Sequence, residues 1–263
     1  MFELAWKEFL DGTASAGHAV LVYRDAGELA AAVAAFASAG LDAGEPTLVV
    51  TTQAHWARIE EALAVLGWDE ARARRSDLLL YVDAEATLAD LLENGRPTTP
   101  GFEPAIAALL DRLDGRSRRR RLRVFGEMVD LLTRQGAAEE ARALEELWNE
   151  LAEQRRMLVL CSYQLDVFDR HTQVGILPGV CKTHSHVRPA ADLERLQRAV
   201  DAAIDEELGD RGGQLYAMVG EQIRQRRVPA AQLALMWVSA NMPMVAEQIL
   251  ASARTHYLRE RYS

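Results

Sequence analysis

The sequence predicts an α/β fold. It has an open, mainly parallel sheet of five or more strands with helices on both faces, followed by an all-helical C-terminal extension. Three observations predict it. Short apolar runs of strand type alternate with helix-period stretches through the first two thirds of the 263 residues, which is the pattern of βα units building a parallel sheet. The helix-period stretches repeatedly stop at a glycine. After Pro189 the strand-type runs cease, so the chain divides into residues 1–189 and an extension over 190–263.

The elements follow in order. "HAVLVY" (18–23) is a short β-branched strand, and "DAGELAAAVAAFASAG" (25–40) then sets Leu29, Val33 and Phe36 on one helical face before Gly40. "PTLVVTT" (46–52) precedes a helix with Ile59, Leu63 and Leu66 on a face, stopped at Gly67. "DLLLYVD" (77–83) leads into "AEATLADLLENG", and a helix around Ala105 to Leu113 comes after the break "RPTTPGF". "RRLRVFGE" (120–127) and "RRMLVLCSYQ" (155–164) are two further buried strands. The helix between them turns Leu144, Leu147, Trp148 and Leu151 inward and carries acidic residues in its first turn, where the dipole favours them. In the extension, Leu193, Leu196, Val200 and Ile204 mark one amphipathic helix and Leu215, Met218, Val219 and Ile223 a second. Two more helices are separated at Asn241-Met242-Pro243.

Composition narrows the function. A hydrophobic share of 49% with 26% charged residues is that of an ordinary globular chain, and the net charge of −9 repels nucleic acid and anionic lipid. Direct nucleic-acid binding and membrane association are therefore not expected. No apolar run approaches the ~20 residues of a membrane span, and "MFELAWKEFL" lacks the basic start of a signal peptide. Two cysteines outside any secreted framework fit a reducing, cytoplasmic setting. The run "RSRRRRLR" (116–123) is expected to be a solvated connection into a buried strand rather than a nucleic-acid patch.

A parallel sheet raises the question of nucleotide binding. A phosphate loop after the first strand needs two glycines, a lysine and a hydroxyl, but that position reads "YRDAGELAAA". Asp25 and Glu28 would repel phosphate there, so NTP hydrolysis is not expected and the chain is taken as non-catalytic. Carboxylates at strand ends are candidates for a ligand or cation: Asp83, which alternatively caps the next helix, and Glu127 in the "FGE" turn. His18 opens the first strand, where a hydrogen-bonded structural histidine is the ordinary alternative.

The segment "GVCKTHSHVRP" gathers Cys181, His184 and His186. As a site for a divalent metal the trio is one ligand short of a structural zinc centre, and in an extended chain Cys181 faces away from the two histidines. A fourth ligand would come from Cys161, His18 or a distant carboxylate. Cys181 beside Lys182 and two histidines also has the surroundings of an activated thiol, although nothing marks an oxyanion hole. Structural packing, an organic-ligand or gating role, and metal binding all stay open for this segment.

Several stretches taken together resemble a known family. "GHAVLVYRDAGELAAAV", "LLLYVDAEATLADLLENGRP", "VFGEMVDLL", "LEELWNELA" and "LCSY", in this order over about residues 17–187, resemble the MEDS domain, the methanogen/methylotroph DcmR-type sensory domain. The resemblance implies a degenerate RecA-like or KaiC-like fold that has lost its phosphate loop. It implies a sensor of small organic compounds, of the kind joined to histidine-kinase or transcription-regulator modules. It directs attention to His18, Glu127 and the Cys181–His186 segment. Neither a kinase ATP-binding module nor a helix-turn-helix is recognised in residues 190–263, so the receiver of any signal stays open.

The expectation is a non-catalytic sensory protein in signal transduction. Its ligand residues would be His18, Tyr23, Asp83, Glu127, His184 and His186, with thiol contacts from Cys161 and Cys181. A protein partner or a second copy would be engaged through residues 190–263. The alternatives are a metal-dependent hydrolase, a residual nucleotide-binding ATPase-like protein, and an adaptor in which the helical tail dimerises and nothing binds the sheet.

Overall fold

The computed structural model describes residues 2–10, 17–114, 121–155, 157–225 and 228–259, and the chain forms two compact units, Glu3–Gln164 and Leu165–Ser263. The first unit begins with α1 (Phe2–Leu10), β1 (Gly17–Tyr23), α2 (Ala26–Asp42), β2 (Thr47–Thr51), α3 (Gln53–Val65), α4 (Glu70–Ser76) and β3 (Leu79–Asp83). It continues through α5 (Ala84–Leu91), a two-stranded hairpin β4 (Leu92–Glu93) and β5 (Arg96–Pro97), α6 (Thr99–Asp114), β6 (Arg123–Gly126), α7 (Met128–Arg134), α8 (Ala138–Arg155) and β7 (Leu158–Gln164).

The five strand-type runs of the sequence are the five strands of this unit's sheet, in the order β3-β2-β6-β7-β1 with every neighbouring pair parallel. Strands β2 and β6 are buried along their whole length and β7 up to its last residue, as expected of parallel strands covered on both faces. Edge strand β3 is only half-buried. Registers such as Thr51 opposite Asp83 and Tyr23 opposite Gln164 place the carboxyl ends of the strands along one edge.

Packing explains several departures from the sequence expectation. Gly40 does not end its helix, because α2 runs on to Asp42. The glycine instead allows close approach: a Cβ built there would lie 2.5 Å from Arg123 Cδ and 2.8 Å from Nε. Arg123, fully buried on β6, donates from Nε to Glu45 Oε2 at 2.6 Å and from Nη1 to the carbonyls of Leu10 and Phe36 at 2.6 and 3.1 Å. The solvated connection expected for "RSRRRRLR" therefore does not extend to its end. Residues 116–120 lie outside the described residues, whereas Arg121 and Arg123 both pair with Glu45, whose carboxylate gives the buried guanidinium a counter-charge.

On α8 the inward stripe is Ala141, Leu144, Glu145, Trp148, Leu151 and Ala152, so Glu145 takes an inward position and Leu147 is only half-buried. Leu66 is a helix C-cap and 48% exposed, rather than part of the α3 face.

The second unit contains a five-residue π-helix (Thr172–Ile176), α9 (Leu177–Thr183), a short strand β8 (His186–Arg188), α10 (Leu193–Leu208), α11 (Gly212–Gln225), α12 (Ala230–Asn241) and α13 (Pro243–Arg259). Leu193, Leu196, Val200 and Ile204 are all buried, as the periodicity requires. Met218, in contrast, is 59% exposed. No helix of the described residues is long and apolar enough to cross a membrane.

Candidate functional site

Parallel topology puts β-to-α turns on one edge, and the first unit concentrates polar side chains there. Glu127 follows β6 and is fully buried. Its Oε2 accepts from the Thr51 hydroxyl and from the Thr52 amide at 3.1 Å, and His55 Nδ1 stands 2.7 Å from Oε1. Burial alone would raise this carboxyl's pKa, but the donors His55, Thr51 and Thr52 outweigh it and hold the group below the ordinary carboxylate value.

Three residues on, Asp130 is also fully buried, with Oδ2 accepting from the Tyr23 hydroxyl at 3.0 Å and Oδ1 from the Gln164 amide at 2.8 Å. Here burial dominates and the carboxyl is pushed up despite those donors. Burial, and then the negative charges of Asp130 and Glu127, push the Tyr23 hydroxyl up as well. Two carboxylates on one short segment thus have opposite shifts, set by how many donors each receives.

Asp83 ends β3 and caps α5, accepting from the Ala86 amide at 2.9 Å. The Tyr81 hydroxyl is raised by burial and by the nearby charges of Asp83 and Glu127. The Tyr81 ring stacks on Trp56 at 4.6 Å between centroids, and together with Leu63, Trp68, Glu60 and Glu70 these rings line a cleft at the β3 edge. Where a phosphate loop would bind its anion, Asp25 already caps α2, its Oδ1 accepting from the Gly27 and Glu28 amides at 3.0 Å each. Glu28 in turn accepts from the Arg24 amide at 3.1 Å.

His18 and Cys161 belong to a different place, the layer between β1, β7 and α8. His18 lies opposite Val159 and Cys161 opposite Val20, so alternation turns both side chains to the same face of the sheet. His18 Nδ1 donates to Asn149 Oδ1 at 2.9 Å, while Nε2 lies 3.0 Å from Cys161 Sγ and 3.2 Å from Glu145 Oε2. The other oxygen of Glu145 accepts from the Tyr163 hydroxyl at 2.7 Å. Burial, and then the Glu145 charge, push the Cys161 thiol and the Tyr163 hydroxyl well up.

The remaining expected residues lie in the second unit. Cys181 sits on α9 with Sγ 4.0 Å from Met236 Sδ, His184 is the C-cap of α9 with Nδ1 donating to the Val180 carbonyl at 2.8 Å, and His186 begins β8 with Nδ1 3.0 Å from Ser185 Oγ. The segment is helical before it is extended, and among the described residues no metal-type cluster combines Cys181 with His184 and His186.

The structure therefore brings Tyr23 and Glu127 to one edge and His18 with Cys161 to one interior face, and it keeps these groups apart. Sequence reasoning missed His55, Asp130, Trp56 and Tyr81 at the edge, and Glu145, Asn149 and Tyr163 in the interior. For His55 a signal existed: it follows the "TT" ending β2 and sits in the first turn of α3, where side chains reach the edge. Glu145 had none, since it is one of several glutamates in an acidic helix.

A search of curated proteins finds no match to the chain. Residues 17–185 match the family described as MEDS, MEthanogen/methylotroph, DcmR Sensory domain. This stretch is more than half of the chain, which therefore belongs to that sensory-domain family.

Proposed function

We propose that this sensory domain is non-catalytic and takes a small organic compound in a cleft beside edge strand β3 of its sheet. The carrying observation is the cleft of Trp56, Trp68 and Tyr81, in which the Tyr81 hydroxyl feels the charges of half-buried Asp83 and buried Glu127. Pockets with apolar walls and a few fixed polar groups suit small organic molecules. With Glu60 and Glu70 on its rim, the cleft favours a neutral or cationic compound over an anionic one. Occupation of the α2 amides by Asp25 supports a sheet of degenerate RecA-like or KaiC-like descent in which a nucleotide phosphate has no place. The ligand's differential affinity for two states would be passed through residues 190–263 to a protein partner or a second copy, in the control of transcription.

A thermal-shift panel on the full chain tests this reading. Small amines, alcohols and other low-molecular-weight organic compounds are compared with nucleotides. The expected result is a raised Tm with at least one organic compound and none with ATP or GTP; a compound at about 100 times its Kd adds ~2.7 kcal/mol. Stabilisation by nucleotide alone, or by nothing, contradicts it.

A further inference from the structure

The interior group under α8 carries an inference that does not depend on the ligand cleft. The ligating atoms of His18, Glu145 and Cys161 all lie within 4.8 Å of one another, and the three residues are 4%, 1% and 0% exposed. Because Nδ1 of His18 donates to Asn149, its Nε2 presents a lone pair toward Glu145 Oε2 at 3.2 Å and Cys161 Sγ at 3.0 Å. Between these buried groups there must lie a proton, on the imidazole or shared from the Cys161 thiol, or a metal ion. The sulfur favours the metal. Nitrogen, sulfur and oxygen donors converging on one point suit zinc and its first-row neighbours.

The outer partners point the same way. Asn149 fixes the His18 tautomer and Tyr163 holds the far oxygen of Glu145, leaving one atom of each ligand directed inward. Such supporting hydrogen bonds accompany metal-bound histidines and carboxylates. Tetrahedral zinc bonds of about 2.0–2.3 Å put neighbouring ligand atoms roughly 3.3–3.6 Å apart. The His18–Glu145 and His18–Cys161 spacings of 3.2 and 3.0 Å lie within about 0.1–0.6 Å of these values.

We propose that His18, Glu145 and Cys161 bind one divalent transition ion, zinc foremost. Elemental analysis and cobalt substitution of the untagged full chain test this. The expected result is about one ion per chain, as isolated or after chelation and reloading with Zn²⁺, and a cysteinate-to-cobalt charge-transfer band with Co²⁺. Cys161→Ser loses that band and Cys181→Ser keeps it. Tyr163→Phe removes no ligand and weakens Zn²⁺ binding by about 10–100-fold, which decides the matter if Cys161→Ser does not fold. A folded wild-type chain that takes up neither ion, a band surviving in Cys161→Ser or lost in Cys181→Ser, or unchanged affinity in Tyr163→Phe overturns the proposal.

Discussion

Glu127 and Asp130, three residues apart, show how donors decide the character of a buried carboxylate. Glu127 has a folded-state pKa below its unfolded value, so its contribution to stability is present above about pH 4.3 and is lost as pH falls through the depressed value. Glu127→Gln is expected to lower stability by about 1–3 kcal/mol near neutral pH, with the difference from wild type shrinking in acid. Asp130 has the opposite sign. Its raised pKa favours folding below the unfolded value near 3.9, and that contribution is lost as pH rises through the folded value. Asp130→Asn should therefore become steadily more favourable, relative to wild type, as pH rises from about 4 through the raised folded-state value. Thermal unfolding at a series of pH values checks both, and parallel pH profiles for the two variants would contradict the assignment. Of these two residues only Glu127 stood out in the sequence, because a charge directly after a tight glycine is conspicuous. Asp130, in the first turn of α7, looked like any dipole-stabilising acid.

At the level of elements, period and punctuation located all five parallel strands, since a strand buried on both faces must be a continuous apolar run. What periodicity could not reveal was which inward positions are polar. Glu145 shares the α8 stripe with Leu144 and Trp148, and its burial follows from His18 and Tyr163, partners 127 and 18 residues away in sequence. Gly40 is a second case. A glycine near the end of a helical pattern ordinarily signals termination, but here it makes room for the Arg123 side chain on β6. Arg123 is pinned by Glu45 and two backbone carbonyls and cannot withdraw cheaply. Gly40→Ala is expected to destabilise by about 1–3 kcal/mol through overpacking, in spite of alanine's better helix propensity. Denaturant unfolding decides this, and a stabilised variant would show that the arginine yields.

On the scale of the whole molecule, the sequence disclosed the class of fold and the existence of a helical extension, and the family match agrees with the resemblance carried by the "FGEMV" and "LEELWNEL" motifs. The candidate residues were legible one by one and not as groups. His18 and Glu127 were natural partners in a linear reading, yet His18 starts a strand and Glu127 follows the end of one, which places them in different parts of the sheet. Aromatic residues carry no such mark in a sequence: Trp56 and Tyr81 become a cleft only when α3 is laid beside the edge strand. The central claim is that this edge binds a small organic compound. The most direct measurement is an equilibrium titration of wild-type chain and Trp56→Ala with small amines and alcohols, followed by heat release. A saturable signal in wild type that weakens at least about tenfold in Trp56→Ala, a loss of ~1.4 kcal/mol or more, is the predicted result. Equal affinity in the two proteins, or no saturable binding in the folded wild type, would contradict it.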